Sequence, residues 1–365
     1  MLLLTDGLKL PDKKIKTILH DTKKTASAIH LAYVTDAEPG ITRVRKGDKF
    51  LYKKGNKKLT DIDTLNRIKS LVIPPAWENV WICTQENGHL QATGFDLRGR
   101  KQYRYHPLWN TLRNHTKFYR LYEFGQSMPE VRKRLEHDLS RSGLPLEKVL
   151  ATVVSLMERT SIRIGNGMYE KLYGSFGLTT LKDKHVKIHG AEMRFIFKGK
   201  KGVSHNISIK SKRLASIVKK CQDIPGQELF QYFDDDGKHH HIDSGMVNHY
   251  LKEISGGQDF SAKDFRTWAG SVHALQAFQE VEIAETMTAT KRNIVAVLDA
   301  VASHLGNTRS VCKKYYVHPV LISLYEKKKL HTYCEELPKT IKEKPGLTSE
   351  EQLLMKILEC EGMAL

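Results

Sequence analysis

Cysteine is scarce in this sequence and scattered along it. The five thiols, Cys83, Cys221, Cys312, Cys334 and Cys360, are odd in number and too far apart for a paired zinc motif or a disulfide framework. They read as reduced thiols of a cytoplasmic protein. No apolar stretch approaches the length of a membrane span. The opening Met1 to Leu10 contains Leu2, Leu3 and Leu4 but soon meets Asp6 and Lys9, which is not the basic-then-apolar layout of a secretory signal. A G-x-x-x-x-G-K-[ST] loop is missing, as is an H-E-x-x-H helix. Those two gaps remove the easiest routes to nucleotide and zinc hydrolysis, and leave any chemistry to side chains alone, with no cofactor and no metal. Acidic residues are also in deficit, 41 against 59 lysines and arginines, for a formal charge of +18. No single terminal tail carries the surplus. Distributed positive charge points to an extended polyanion, and nucleic acid is the better candidate than an anionic membrane because no amphipathic or apolar anchor accompanies the charge.

A chain of 365 residues exceeds what one compact core usually holds, so two domains are expected. The first hundred or so residues are rich in strand signals. Ile41 to Tyr52 alternates apolar and basic residues around Lys46-Gly47-Asp48, and Val80 to Thr93 repeats the pattern around Asn87-Gly88, both hairpin signatures. Asp63 to Leu71 suits a short helix ended by Pro74-Pro75. From about Leu108 the period becomes helical. Val149, Leu150, Val153, Val154 and Met157 form an apolar stripe, followed by Arg159 and Arg163 where the helix is expected to meet Gly165. Met193, Phe195 and Phe197 alternate into Lys198-Gly199-Lys200-Lys201-Gly202, and Val203, Ile207 and Ile209 alternate out, a β-hairpin set among helices. A helix is expected from about Lys263 to Glu282. In another, Ile294, Leu298, Val301, Ala302 and Leu305 share a face before Gly306 stops it. Near the end, Ser349-Glu350-Glu351-Gln352 reads as a capping box leading into Leu353, Leu354, Ile357 and Leu358, a terminal helix packed on the body. The expected architecture is α+β: a strand-rich domain over residues 1–110, a larger, mainly α-helical domain with an inserted β-hairpin over 111–325, and a tail with a terminal helix over 326–365.

Several segments could carry chemistry. Arg98-Gly99-Arg100-Lys101-Gln102-Tyr103-Arg104-Tyr105 interleaves basic and aromatic residues with period two. On a strand, Gln102 and Arg104 share one face and Tyr103 and Tyr105 the other, which suits either a ribbon touching phosphates and base edges or a solvated edge strand with its tyrosines turned inward. Lys200 sits on a turn between Gly199 and Gly202, where a lysine can reach a DNA groove and protonate a leaving alkoxide, although the hairpin taken alone is better explained as a solvent-exposed turn. Tyr315 and Tyr316 follow Lys313-Lys314. A phenol ionises near pH 10, about, so a tyrosine nucleophile needs cationic neighbours or a base, and phenolate is a good enough leaving group for a DNA hydroxyl to expel it without ATP. Asp234-Asp235-Asp236-Gly237-Lys238-His239-His240-His241 holds metal-ligating types, but consecutive ligands do not converge, and a polar hairpin loop explains them better. Lys327-Lys328-Lys329 reads as a solvated basic run.

In this order the segments resemble the poxvirus-like, bacterial branch of the type IB DNA topoisomerases. Arg98 to Tyr105 is similar to the family's DNA-facing strand, Ser161-Ile162-Arg163-Ile164-Gly165-Asn166 to the stretch with its first catalytic arginine, and Phe197-Lys198-Gly199-Lys200 to its hairpin lysine. Lys263-Asp264-Phe265-Arg266-Thr267-Trp268 is similar to the second arginine's motif, and Gly306-Asn307 with Lys313-Lys314-Tyr315-Tyr316 completes the set. The family places its nucleophile nine positions after a histidine or asparagine, which selects Tyr316 over Tyr315. Asn307 stands where many members have histidine; both donate to a non-bridging phosphate oxygen, so the stabilising role survives and an essential imidazole base does not.

The resemblance implies attack by Tyr316 on a DNA phosphodiester to give a 3′-phosphotyrosyl link and a free 5′-hydroxyl, with Arg163, Arg266 and Asn307 on the phosphate oxygens and Lys200 protonating the departing oxygen. Supercoils relax while one strand is held covalently. The DNA-contacting set it implies is Arg98, Arg100, Lys101, Gln102, Tyr103, Arg104, Tyr105 and Tyr169. Duplex DNA is the implied partner, held by a monomer that clamps it, without nucleotide cofactor or membrane, in the nucleoid-associated cytoplasm. A tyrosine site-specific recombinase shares the Arg, Lys, Arg, His and Tyr arrangement, but it usually carries a histidine shortly before the second arginine, which Lys263-Asp264-Phe265-Arg266 lacks. A non-catalytic duplex-binding protein shares the charge and the expected salt dependence.

Overall fold

The six strands that dominate the first part of the chain form one antiparallel sheet: Ile41–Lys46, Lys49–Lys54, Lys57–Lys58, Glu78–Ile82, Leu90–Phe95 and Lys101–Tyr105. They are seen in a computed structural model that describes residues 2–3, 9–10, 21–336 and 346–362, except positions 48, 98 and 100. Arg98 and Arg100, expected DNA contacts, therefore lie outside the described residues. Counting the short ribbon of Leu2–Leu3 (β1) and Lys9–Leu10 (β2), the sheet strands are β3 to β8 and run in the order β5-β4-β3-β6-β7-β8. The chain divides into two compact units, Met1–Tyr119 and Arg120–Leu365.

In the first unit, Thr22–Ser27 (α1) is capped by Asp21, whose carboxylate accepts from the Lys23 and Lys24 amides at 3.0 Å each. Ile62–Ser70 (α2) starts on Asp61, which accepts from the Thr64 amide at 2.9 Å, and it ends before the two prolines. Ile68 of α2 packs with Ile41, Val80, Ile82 and Ala92 from three strands to make the unit's main core. The β3–β4 hairpin turns at Gly47, with Lys46 opposite Lys49. The β6–β7 connection differs from the tight Asn87-Gly88 turn that its sequence suggests. The Cys83 amide bonds the Gln91 carbonyl at 2.9 Å, and the loop between them is closed by the Gln91 side chain, which donates to the Glu86 and Gly88 carbonyls at 2.8 and 2.7 Å. A buried amide, not a two-residue turn, satisfies that backbone.

The second unit is mainly helical. The division falls within Pro107–Leu139 (α3). Leu146–Thr160 (α4) buries Val149, Leu150, Val153, Val154 and Met157, as their spacing predicts. It stops earlier than expected. Thr160 turns its hydroxyl back to the Leu156 carbonyl at 2.6 Å, and Ser161 takes the left-handed conformation (φ 53°, ψ 18°) with its amide on the Met157 carbonyl. Arg163 is thus beyond the helix rather than on it, in the chain that leads to Gly167–Tyr173 (α5).

A three-stranded antiparallel sheet follows, Val186–His189 (β9), Glu192–Lys198 (β10) and Ser204–Lys210 (β11), ordered β11-β10-β9. Met193, Phe195 and Phe197 of β10 all point into the core, the alternation read from sequence. Lys212–Gln222 (α6) leads to the small hairpin Gln231–Phe233 (β12) and His239–His241 (β13), in which Asp234 accepts from the Lys238 amide at 2.8 Å and contacts His240 Nε2 at 2.6 Å. The remaining helices are Ser244–Ile254 (α7), Ala262–Glu280 (α8), Met287–Leu305 (α9), Arg309–Tyr315 (α10), Pro319–Glu326 (α11), Leu330–Glu336 (α12) and Ser349–Cys360 (α13).

The capping box of α13 sits one residue earlier than the sequence suggests. Thr348, not Ser349, is the cap: its hydroxyl accepts from the Glu351 amide at 3.3 Å while Glu351 accepts from the Thr348 amide at 2.9 Å. Leu353, Leu354, Ile357 and Leu358 join the main core. Glu351, only 5% exposed, receives the forked Arg132 guanidinium through two bonds of 2.7 Å and the Trp268 indole N–H at 2.8 Å. Arg132 also bonds Glu158 at 2.7 Å, so one half-buried cation ties α13 to α3 and α4, and Glu351 extends the tie to α8. Gly125 of α3 makes the approach possible, because a Cβ there would collide with Met355 and the Trp268 ring.

Replacing Arg132 with Met leaves Glu351 charged in the interior without its cation, held only by the Trp268 indole and the Thr348 amide, and we expect a loss of about 3–5 kcal/mol in the urea unfolding free energy; a loss below about 1 kcal/mol would refute the tie. Burial raises the Glu351 pKa, but the bonds from Arg132 and Trp268 outweigh it and the net value falls below the usual 4.5. A carboxyl that binds its proton less tightly folded than unfolded contributes stability that is fully present above its unfolded pKa and is lost as the pH falls through its folded one. Glu351→Gln should therefore flatten the decline in stability below about pH 4.5, read from urea midpoints across an acid titration.

Candidate active site

Four of the five residues singled out for chemistry come together in the second unit. Two helices end in left-handed caps there: α4 at Ser161, and α9 at Gly306 (φ 58°, ψ 51°), the stop expected from the sequence. Such a cap turns the chain sharply and leaves the carbonyls of the last turn available. Arg266, the fifth residue of α8 and 5% exposed, fills that need at both ends. Its Nη1 donates to the Ser161 carbonyl, and its Nη2 donates to the Leu305 carbonyl at 2.7 Å. Arg163, two residues past the first cap, donates through Nη2 to the Gly306 carbonyl at 3.1 Å and to the Asn307 Oδ1. Since a guanidinium can only donate, the Asn307 oxygen must face Arg163 and its amide nitrogen must point away.

Tyr316 closes the group. It caps the C-terminal end of α10, half-buried, with the Arg266 guanidinium carbon 5.2 Å from its ring centroid. Its backbone is held as firmly as its ring. Ser271 Oγ donates to the Tyr316 carbonyl at 3.1 Å and accepts from the His318 amide at 3.0 Å, so one fully buried hydroxyl on α8 fixes both sides of Val317. Gly270 beside it lets α8 come close: a Cβ there would lie 2.7 Å from the Tyr316 carbonyl oxygen and 2.9 Å from its Cβ.

The electrostatics are those of an anion site. Burial, and then the nearby Arg266, push the Arg163 guanidinium down to about 10, with Tyr316 and Cys312 acting the other way. Burial likewise lowers Arg266, opposed by Tyr316. Both remain cations at neutral pH, and among the described residues neither has a carboxylate partner. Two donors, Arg266 Nε and Asn307 Nδ2, are buried with no hydrogen-bond partner among the described residues. Leaving such groups bare is costly, by about 1–3 kcal/mol each and more for a charged one, unless a ligand atom completes them. An oxyanion bearing several acceptor oxygens matches two guanidiniums and one amide.

Lys200 stands apart from these four. It is exposed at the tip of the β10–β11 hairpin and makes no hydrogen bond or ion pair among the described residues. The hairpin itself reaches the site through His205 of β11, whose ring stacks on Phe197 at 4.9 Å and lies against Gly306. In the first unit, β8 is an edge strand, and each of its polar side chains has an internal partner: Lys101 pairs with Asp36 at 2.5 Å, Gln102 donates to Asp96 at 3.0 Å and Arg104 donates to the Val72 carbonyl at 2.8 Å. Tyr103 is 47% exposed and stacks on the half-buried Tyr105 at 5.9 Å. Tyr169, on α5 of the second unit, is 38% exposed and stacks on Tyr173 at 5.8 Å.

Sequence reasoning missed Gly270, Ser271 and His205. The run Ala269-Gly270-Ser271 inside an otherwise bulky helix was the available signal for the first two, since small residues in a helix interior mark close packing. A histidine within an alternating strand gave no such signal.

Comparison with known proteins follows the same line. Residues 101–343 match the family described as eukaryotic DNA topoisomerase I, catalytic core, and residues 49–96 match the bacterial DNA topoisomerase IB, N-terminal domain. The chain is similar to the DNA topoisomerase 1B of Acanthamoeba polyphaga mimivirus, 34% identical over 300 residues that cover 79% of this chain and 88% of the relative. It is also similar to the DNA topoisomerase I of Monkeypox virus and the DNA topoisomerase 1B of Vaccinia virus (strain Copenhagen), each 26% identical over 240 residues that cover 64% of this chain and 72% of the relative.

Adding a methyl group at Gly270 must move Tyr316 or α8, because the obstructing atom is backbone rather than the end of a side chain. We expect Gly270→Ala to cost about 1–3 kcal/mol in unfolding free energy. Ser271→Ala removes both bonds to the Tyr316–His318 turn and should cost a similar amount, about 1–3 kcal/mol. Thermal or urea unfolding measures both, and a wild-type midpoint for Gly270→Ala would contradict the close approach.

Proposed function

The chain belongs to the type IB DNA topoisomerases, isomerases of DNA, and on that premise we propose that Tyr316 is its nucleophile and that Arg163, Arg266, Asn307 and Lys200 complete the active site. The observation that carries this reading is the pair of guanidiniums that have no carboxylate partner among the described residues, set with two unfilled buried donors beside the Tyr316 ring. Tyr316 attacks a phosphodiester in line, forming a 3′-phosphotyrosyl bond as the 5′ oxygen leaves. Negative charge accumulates on the non-bridging oxygens in the transition state, where fixed donors act most strongly. Arg163 and Arg266 supply the charge, and the Asn307 amide N–H supplies a neutral third contact whose direction Arg163 enforces. Lys200 gives its proton to the 5′ oxygen. With one strand held covalently, the downstream duplex rotates and supercoils relax, until the 5′-hydroxyl attacks the phosphotyrosine and restores the strand. The reaction exchanges one phosphodiester for another, so it needs neither a nucleotide nor a metal ion.

The same reading gives β8 and Tyr169 a role on the duplex. Tyr103 and Tyr169 present exposed rings, while Lys101, Gln102 and Arg104 would exchange their internal partners for phosphate or base edges. The protein acts as a monomer around duplex DNA, and this substrate places it with the nucleoid in the cytoplasm. Among the described residues no helix is long and apolar enough to cross a membrane.

Plasmid relaxation in EDTA without nucleotide, run with wild type and Tyr316→Phe side by side, tests the core of the proposal. Wild type should relax the plasmid and yield a denaturant-trapped covalent adduct; Tyr316→Phe should do neither while still binding DNA. A persisting adduct in Tyr316→Phe would remove Tyr316 from its role. Arg163→Ala and Asn307→Ala should each slow single-turnover cleavage by about two to three orders of magnitude. Arg266→Lys should fail to restore activity, because a single ammonium cannot bridge the Ser161 and Leu305 carbonyls and still meet a phosphate.

A further inference from the structure

His205 occupies an unusual place. Its imidazole is wedged between two glycines, each next to a residue of the proposed active site: Gly199, which precedes Lys200, and Gly306, which precedes Asn307. A Cβ on Gly199 would lie 2.6 Å from His205 Nε2, and a Cβ on Gly306 would lie 2.6 Å from His205 Cε1. Gly306 needs to be glycine for its left-handed backbone as well. Gly199 does not, since its φ of −92° and ψ of −165° are extended values that any residue adopts. Space for the His205 ring is therefore what a side chain at 199 would take away. The third side of the ring is stacked on Phe197 at 4.9 Å and 20°, and Phe197 is itself buried in the core.

The hairpin tip has few other restraints. Gly199 and Val203 close it through a 2.7 Å backbone bond, Lys201 is left-handed at φ 62°, and residues 200–204 are all exposed. A tip held so lightly would carry Lys200 through a range of positions. The ring of His205 joins that tip to the Gly306-Asn307 corner, which Arg163 and Arg266 in turn hold.

We propose that His205 is a positioning residue that sets the reach of the Lys200 hairpin, registering the lysine against the phosphate site through its packing between Gly199 and Gly306. The proposal rests on the reading of Lys200 as the proton donor. Burial, and then the charges of Arg163 and Arg266, hold the His205 imidazole below the usual range and favour the neutral ring in this packed position. In the step concerned, the bond from Tyr316 Oη to phosphorus forms, the bond from phosphorus to the 5′ oxygen breaks, the Lys200 ammonium passes a proton to that oxygen and becomes a neutral amine, and the tyrosine proton goes to solvent. Replacing the bridging 5′ oxygen with sulfur yields a thiolate, stable enough to depart unprotonated. A variant whose only defect is a missing or misplaced proton donor is then relieved, whereas one with a distorted phosphate site or a damaged fold is not.

The experiment is single-turnover cleavage of duplexes carrying either oxygen or sulfur at the bridging 5′ position, built on a cleavage site first mapped by trapping wild-type adducts on plasmid DNA. Lys200→Ala should lose about two orders of magnitude or more on the oxygen duplex and recover on the sulfur one. His205→Ala should lose about one to two orders of magnitude on oxygen, the scale of a misplacement of roughly 1 Å, and cleave the sulfur duplex at the wild-type rate. Gly199→Ala, which drives a methyl group into the trapped ring, should show the same pattern. Equal slowing of His205→Ala on both duplexes, or no slowing on oxygen, would overturn the positioning role. Failure of Lys200→Ala to recover on sulfur would instead strike the proton-donor reading, and the positioning role with it.

Discussion

The buried guanidinium of Arg266 is the interaction on which the site depends. Two helices that are distant in sequence, α4 and α9, end on left-handed caps, and both direct a carbonyl of their final turn at this one side chain. The carbonyl ends of helices carry partial negative charge, so a planar cation with several donors is the natural bridge between them. Arg163 and Asn307 follow the two caps by one or two residues. Their meeting is thus a by-product of how Arg266 satisfies two helix ends. A third contact of Arg266, to the Tyr316 ring, brings the proposed nucleophile to the same point. One side chain therefore has a structural task and an electrostatic one, and the two cannot be separated by removing it.

The coarse organisation could be read from sequence because it rests on periodicity. The alternation of Met193, Phe195 and Phe197, the stripe on α4 and the Gly306 stop all express where side chains must point to be buried, and all three stand where that logic puts them. The details that escaped it depend on side chains competing with the backbone for hydrogen bonds. Thr160 folds back on its own helix and Ser161 adopts a conformation that serine rarely favours, so α4 ends before Arg163. Gln91 satisfies a loop that the Asn87-Gly88 pair seemed to define as a tight turn. Thr348 takes the cap that Ser349 was equally equipped to make, because only from 348 does Glu351 fall at the reciprocal position.

The candidate site shows the same division. Motifs similar to the family's, met in the family's order, were enough to nominate Arg163, Lys200, Arg266, Asn307 and Tyr316, and the family's nine-residue interval chose between adjacent tyrosines. What no interval could reveal is the shell that aims them. Ser271 grips the backbone around Tyr316, Gly270 lets α8 approach it, and His205 fills the gap between the exposed lysine turn and the Gly306-Asn307 corner. These residues act by volume and by contact with backbone atoms, and such roles leave no pattern in a one-dimensional string.

The tie between Arg132 and Glu351 has a bearing on how the protein is made. The helix that holds Glu351 is translated after every segment that contributes to the site, so the apolar faces of α4 and α8, and the indole N–H of Trp268, emerge from the ribosome before their cover exists. Until it arrives, the helix bearing Arg266 lacks its outer support. A nascent chain of this protein therefore exposes those faces to its surroundings until Glu351 and the helix around it have been synthesised.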